Sequence, residues 1–341
     1  MLRSLSYLFL LCLSVVAQAQ VFKIATILPD GTSWMNTVRE AASEIEVRTN
    51  GRVTFRFYPG GVMGNDTTVL RKIRIGQLHG GALTGGGVAE IYPDSQLYNI
   101  PFAFNSHAEV DYVRQHMDSQ IIEGLKQGGF ISFGLSGAGF AYLMSTNPLM
   151  SVEDLQHQKV WSPQGDRISN AAFASIGVSP VSLPLSDVLL GLQTRLVNTV
   201  GSSPLGAIAL QWHTRVNYLT DMPLLYLYAT LVVTREAFEK LSPVDQAIVY
   251  EVMGKASNKV SEQNRKDNEA AREVLKNQGI IFITPALEKR QEWHEKVSQA
   301  MTDLSIQGYL SATMLQTLRG HLHDYRQRTD KSNITIQGTA R

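Results

Sequence analysis

The chain has 341 residues, 44% of them hydrophobic and 18% charged, with 31 Lys and Arg against 30 Asp and Glu and a single cysteine. That apolar content excludes a disordered chain and suffices for two ordinary domains with cores of their own. A formal charge of +1 without a basic block gives no electrostatic handle for nucleic acid, whose phosphates need clustered Lys and Arg.

The first residues form a leader. Arg3 supplies a positive start, Leu5 to Val16 is an apolar run too short to span a bilayer, and Ala17-Gln18-Ala19 is a small-x-small cleavage signal. This predicts a secretory signal peptide over 1–19, cut after Ala19, and an exported mature chain. Cys12 lies inside the leader. The mature chain then has no disulfide, no thiol nucleophile and no Cys-ligated metal. Losing Arg3 leaves basic and acidic residues balanced. No later stretch approaches the ~20 apolar residues that a membrane span needs.

Val21 to Leu28 is a short apolar run stopped by Pro29-Asp30-Gly31, a strand and a tight loop. Ser33 is placed to cap a helix in which Trp34, Val38, Ala41, Ala42 and Ile45 recur at helical spacing, and Asn50-Gly51 supplies the stop. Val53, Phe55 and Phe57 alternate with Thr54 and Arg56, so the unit reads β-α-β and opens a parallel sheet. The pattern repeats with a glycine loop at 60–64, a helix capped by Asn65 or Asp66, and a strand at 81–85 ending in Gly85-Gly86-Gly87. Helices are predicted over 107–127 and 186–192, and strands at 130–135, 141–144, 159–161 and 224–233. Residues 243–278 form a long amphipathic helix that bridges two halves or lies along one side. A strand at 280–284 and helices at 286–304 and 312–329 follow, then a polar end.

Catalytic patterns are missing. His294-Glu295 lacks a second histidine four residues on, and His321 and His323 fall on different helix faces. In Gly134-Leu135-Ser136-Gly137-Ala138-Gly139 the second glycine of a nucleophile elbow is Ala138, and neither the Walker loop nor the Rossmann fingerprint fits the other glycines. No catalytic residue, metal or cofactor is expected. An exported chain with glycine turns at strand ends and no catalytic constellation points to ligand binding at the carboxyl ends of the strands, between lobes that hinge.

Four stretches carry a family resemblance: KIATILPDGTSWM (23–35), YPGGVMGNDTTVLRKIRIGQLHGGALTG (58–85), IPFAFNSHAEVDYV (100–113), and LQHQKVWSP with SPVSLPLSDVLLGLQT (155–163 and 179–194). The chain resembles the DctP-type periplasmic solute-binding subunits of TRAP (tripartite ATP-independent periplasmic) transporters. The resemblance implies an α/β, type II periplasmic-binding-protein fold, two lobes with a ligand cleft between them, joined by crossing strands and a long helix. It implies a monomeric periplasmic receptor that takes a small organic ligand, usually an organic acid, to membrane permease subunits. The expected division is lobe I over 20–143 plus about 232–275, lobe II over 144–231 plus about 276–330, and a frayed tail over 331–341.

Two departures remove charge from the expected cleft. Where the family has Lys-Ile-Arg in a strand of the second lobe, with the arginine holding the ligand carboxylate, this chain has Lys159-Val160-Trp161. The family's Asp-Gly-x-Glu-Asn-Pro reads Thr199-Val200-Gly201-Ser202-Ser203-Pro204. The candidate ligand-binding residues are Trp34, Phe102, Trp161 and Trp212 as aromatic lining, Gln164 and Asp166 as partners for a hydroxyl, Ser203 in the altered motif, and Arg167 as a substitute cation. Two ligand classes stay open: an apolar or amphipathic molecule on the indoles, or an acid held by Arg167, with Trp161 a core residue. Rival functions are an exported sensor or lipid-handling partner with the same fold, and an exported enzyme.

Overall fold

The computed structural model describes residues 19–338, so nearly all of the leader expected over 1–19 lies outside the described residues. The chain opens as the alternation predicts: β1 (Gln20–Thr26), α1 (Ser33–Arg48), β2 (Val53–Tyr58), α2 (Asp66–Arg74) and β3 (Gly80–Thr84). β1 pairs in parallel with β2 and with β3. The α1 cap is Thr32, whose side chain accepts from the Met35 amide. Ser33, the expected cap, instead donates to Asp267. Asn50 and Gly51 end the helix in the left-handed region, as the Asn-Gly signal implies.

A 3-10 segment, Pro93–Asn99, leads to α3 (His107–Gln127), and β4 (Phe130–Ser145) follows. The two apolar runs read near 130 and 141 are one strand of 16 residues. Gly134 and Gly139 bend it, with φ of 134° and 93°, and its pairing with β8 shifts register beside both. The next elements are α4 (Val152–Gln156), β5 (Trp161–Pro163), α5 (Arg167–Ser175), β6 (Val181–Leu183), α6 (Val188–Gln193), β7 (Thr199–Ser202) and α7 (Pro204–Ala209). The chain then runs back through β8 (Tyr218–Thr234), α8 (Arg235–Glu239), α9 (Pro243–Asn277), β9 (Ile281–Ile283), α10 (Leu287–Ile306) and α11 (Ala312–Gly338).

The larger sheet has the order β2-β1-β3-β8-β4-β7, with β9 beside β8. β5 and β6 pair in parallel, and Val160 bridges Thr199, so this pair lies next to β7. β4 and β8 are the long antiparallel strands shared by two lobes. One end of each joins β3, α1 and α2, and the other joins β7 and β9. α9 spans both ends. Ser242 caps it and Pro243 sits in its first turn. Its Val249, Val252 and Met253 pack with α1 residues, and Leu275 packs in the other lobe's core.

α9 also grips β4 at the Gly137 bend. Ser261 accepts the Gly137 amide, Asn264 donates to the Gly137 carbonyl, and Asn268 donates to the Ala138 carbonyl while accepting the Leu205 amide. These side chains meet backbone groups that the bend removes from the ladder. The C-terminal helices diverge: α10 packs on α5, and α11 packs on α3 and the 93–99 segment. The helix backbone continues through the polar stretch read as a frayed end.

Candidate functional site

The two lobes meet where loops at strand ends face each other. On the first side, Gly60, Gly61 and Gly64 all have positive φ, and the Gly60 and Gly61 amides donate to the Leu28 and Thr26 carbonyls at the end of β1. This loop delivers Asn65, which caps α2 by accepting from the Thr68 amide at 2.9 Å. The Asn65 amide also reaches the second lobe, donating to Gln164 Oε1 at 3.4 Å.

Asp66 follows, its Oδ2 accepting from the Thr84 amide and hydroxyl at 3.2 and 2.7 Å. Burial pushes its carboxyl above the ordinary range, and the Thr84 bonds partly offset this. Gly87 is required beside it, because a Cβ there would stand 2.1 Å from Asp66 Oδ2.

The contact that ties the lobes most closely is made by Gln96, on the 93–99 segment. It has no solvent exposure. Its Nε2 donates to Asp166 Oδ1 at 2.9 Å, and its Oε1 accepts from the Tyr309 hydroxyl at 2.5 Å. Asp166 is also the cap of α5, accepting from the Ser169 amide and hydroxyl. Beside it, the Arg167 guanidinium carbon lies 4.2 Å from the centre of the Tyr309 ring, within the range of a cation–π contact. Arg167 is exposed, and among the described residues it makes no ion pair and no hydrogen bond through its side chain.

Of the eight residues expected at the site, this junction brings together Gln164, Asp166 and Arg167. The other five lie in packed interiors. Trp161 is 5% exposed, its Nε1 donates to the Leu183 carbonyl at 3.0 Å, and its ring meets Trp212 edge-on at 5.2 Å. Both indoles belong to the cluster of Met144, Val188, Leu192 and Val200. Trp34 packs between α1 and α9, where with Val38, Phe133 and Met253 it lines a cavity of about 20 Å³, room for about one water.

Ser203 caps α7, accepting from the Gly206 amide. Phe102 has a left-handed φ of 59°, donates its amide to the Leu224 carbonyl at 2.6 Å, and stacks on His294 at 4.5 Å. Its ring also meets Trp293 at 6.3 Å, while a separate set of rings, Tyr98, Phe104, Phe140, Tyr226 and Tyr228, packs where β4 and β8 pass between the lobes. Gln96 and Tyr309 carried no signal in the sequence: one lies in a short 3-10 turn, the other between two helices.

Among the described residues no group of three or more His, Cys, Asp or Glu is placed to hold a metal ion. No helix among them is long and apolar enough to cross a membrane.

Two α/β lobes on a shared strand pair, a helix spanning both and polar loops facing each other across the junction define a solute-binding protein of the periplasmic type. The family assignment follows from comparison with known proteins. Residues 24–307 match the DctP family, described as bacterial extracellular solute-binding protein, family 7, and the chain belongs to it. It is thus a solute-binding receptor and not an enzyme.

Among its relatives, the sialic acid-binding periplasmic protein SiaP of Vibrio cholerae is 23% identical over 268 residues, 77% of this chain and 82% of that protein. The C4-dicarboxylate-binding periplasmic protein DctP of Rhodobacter capsulatus is 21% identical over 303 residues, 86% and 90% of the two chains. The same fold is seen in the sugar acid binding protein DctPAm of Advenella mimigardefordensis in complex with galactonate. That match has a TM-score of 0.83 at 16% identity and covers 90% of this chain and 99% of the other. A TRAP periplasmic solute binding protein of Pseudomonas putida F1 with bound D-glucuronate matches with a TM-score of 0.80 at 21% identity, over 87% and 96% of the chains.

Proposed function

We propose that the chain is exported to the periplasm, captures a small organic acid between its lobes with Arg167 as the partner of the ligand's anionic group, and delivers it to TRAP membrane permease subunits. The observation that carries this is Arg167 itself, an exposed guanidinium at the lobe junction that no carboxylate among the described residues engages, while the position of the family's arginine holds a buried indole. Relatives and structural neighbours named for sialic acid, C4-dicarboxylates, galactonate and D-glucuronate support the ligand class. The proposed lobe limits are 20–143 plus about 232–275 and 144–231 plus about 276–330, with α11 reaching back to α3. The receptor is proposed to act as a monomer.

An apolar or amphipathic ligand is the second reading. What favours it is the loss of charge at the position of the family's arginine, where Trp161 stands; Trp34, Phe102, Trp161 and Trp212 themselves are all buried in the lobe cores. Calorimetric titration with succinate, galactonate, D-glucuronate and orotate separates the two. An acid that binds wild-type protein and loses about 10- to 100-fold in affinity with Arg167→Ala fits a charge-assisted pair. Indifference to all four acids, with a neutral apolar molecule co-purifying in native mass spectrometry, would sink the acid reading.

A further inference from the structure

The polar contacts at the junction form a closed ring. Arg167 lies over the Tyr309 ring, Tyr309 donates to Gln96, Gln96 donates to Asp166, and Asp166 is joined to Arg167 by a peptide bond. Three distant chain segments supply it, and the Tyr309–Gln96 bond alone links residues 213 apart. Every member is held by something else. Gln96 is fully buried with both amide atoms used, and a flip would set its carbonyl against the Asp166 carboxylate. Asp166 caps α5. Tyr309 follows Gly308, which takes a φ of 75°, and its amide donates to the Leu304 carbonyl. Two residues on, the Ser311 amide donates to Asp94. Burial and the nearby Asp166 push the Tyr309 phenol up to about 12, so it remains a neutral donor at physiological pH.

A guanidinium has two distinct surfaces. Its face stacks on an aromatic ring, and its N–H donors lie in the plane, at the edge. In this ring the guanidinium carbon lies over the Tyr309 ring at 4.2 Å, a distance at which the face can stack, and among the described residues no acceptor takes the N–H donors. We infer that Tyr309 is a positioning residue for anion recognition: its ring holds the Arg167 guanidinium by the face so that the edge donors are presented to the anionic group of the ligand. The inference rests on the reading of Arg167 as the anion partner and adds to it a residue of the α10–α11 connector. The connector thereby becomes part of the specificity of the site, because an unheld arginine samples many rotamers before it meets a carboxylate.

The test compares wild-type protein with Tyr309→Leu, Tyr309→Phe and Arg167→Ala. Without ligand, the Arg167 Nε–Hε resonance, identified by its loss in Arg167→Ala, is expected upfield through the ring current, to stay upfield in Tyr309→Phe, and to return to the ordinary position in Tyr309→Leu. With the tightest-binding acid of succinate, galactonate, D-glucuronate and orotate, Tyr309→Leu is expected to weaken binding about tenfold while leaving the corresponding neutral amide within about twofold. A purely structural defect would weaken acid and amide alike, and that result overturns the inference, as does acid affinity unchanged in Tyr309→Leu. Unchanged acid affinity in Arg167→Ala overturns the anion-partner reading instead, and the two failures are distinct. If none of the four acids binds, the Arg167 resonance decides: a wild-type shift that survives Tyr309→Leu refutes the stack.

Discussion

Replacing Trp161 by alanine separates a packed indole from a ligand contact, because the two roles predict opposite results. Trp161 is 5% exposed, so its side chain buries about 200 Å². At about 25 cal/mol per Å² this is worth about 5 kcal/mol, of which the alanine methyl retains a part. Trp→Ala changes in cores cost about 3–5 kcal/mol, and the edge contact to Trp212 puts this site toward the upper half. The lost indole hydrogen bond adds little, since the Leu183 carbonyl also accepts the Gln164 amide at 3.2 Å. A loss of about 4 kcal/mol moves the urea midpoint of a chain this size by on the order of 1 M, readable by far-UV circular dichroism. Ligand affinity of the protein that remains folded should stay within about twofold. Wild-type stability combined with a large loss of affinity would refute the assignment and put the indole back in the binding site.

The Asp245 carboxylate accepts both guanidinium bonds of Arg52, at 2.7 and 3.0 Å, and these, with Ser242, hold its pKa below the ordinary carboxylate range. A folded pKa below the unfolded one means that its stabilisation is complete above the unfolded value, about 4, and is lost as pH falls through the folded value. Asp245→Asn should therefore lower stability at neutral pH and flatten the acid limb of a denaturation series below about pH 4; an unchanged limb would exclude this pair as a source of acid sensitivity. Asn268→Ala strips partners from the Ala138 carbonyl and the Leu205 amide at a residue only 8% exposed. The expected cost is about 2–4 kcal/mol, with faster hydrogen exchange at Leu205, and wild-type exchange there would show that Asn268 does not hold the start of α7.

Much of the fold was legible where one physical rule governs a stretch. α3 and α9 fall close to the predicted limits because long amphipathic runs carry their own period and stops. β4 read as two pieces because a strand covered on both faces shows no alternation, and Gly134, Gly137 and Gly139 interrupt its apolar run. The cap of α1 slipped by one residue since Thr32 and Ser33 cap equally well in isolation. The site was less legible. An indole at the end of a strand has the same composition signal in a core and in a cleft. The decision lies in pairing: Trp161 stands opposite Val181 in β5–β6, and its ring is turned to Trp212. Gln96 and Tyr309 acquire a role only through each other, across 213 residues, and no local pattern encodes such a pair.

The junction also bounds how firmly the lobes hold together without ligand. Asn65–Gln164, Gln96–Asp166 and Tyr309–Gln96 bond only when the lobes meet. The first is long and half-exposed, so its net worth is small; the second joins a fully buried amide to a carboxylate and is worth about 1.5–3 kcal/mol. The Tyr309–Gln96 bond joins the same two lobes and adds about 0.5–1.5 kcal/mol, whereas the Arg167–Tyr309 contact lies within the second lobe and adds nothing to closure. Against these stand the ordering of the five side chains Asn65, Gln96, Gln164, Asp166 and Tyr309 and the dehydration of polar loop ends, each of comparable size. The balance is a few kcal/mol at most, a range in which the minor form remains populated and differential affinity for one form moves the equilibrium. Under the proposal that Arg167 receives the ligand's anionic group, a ligand that also touches the first lobe favours the closed form, in which Gln96 bonds both Asp166 and Tyr309. On that proposal, recognition of charge and closure of the lobes are coupled through Gln96, whose bonds to Asp166 and Tyr309 form only when the lobes meet.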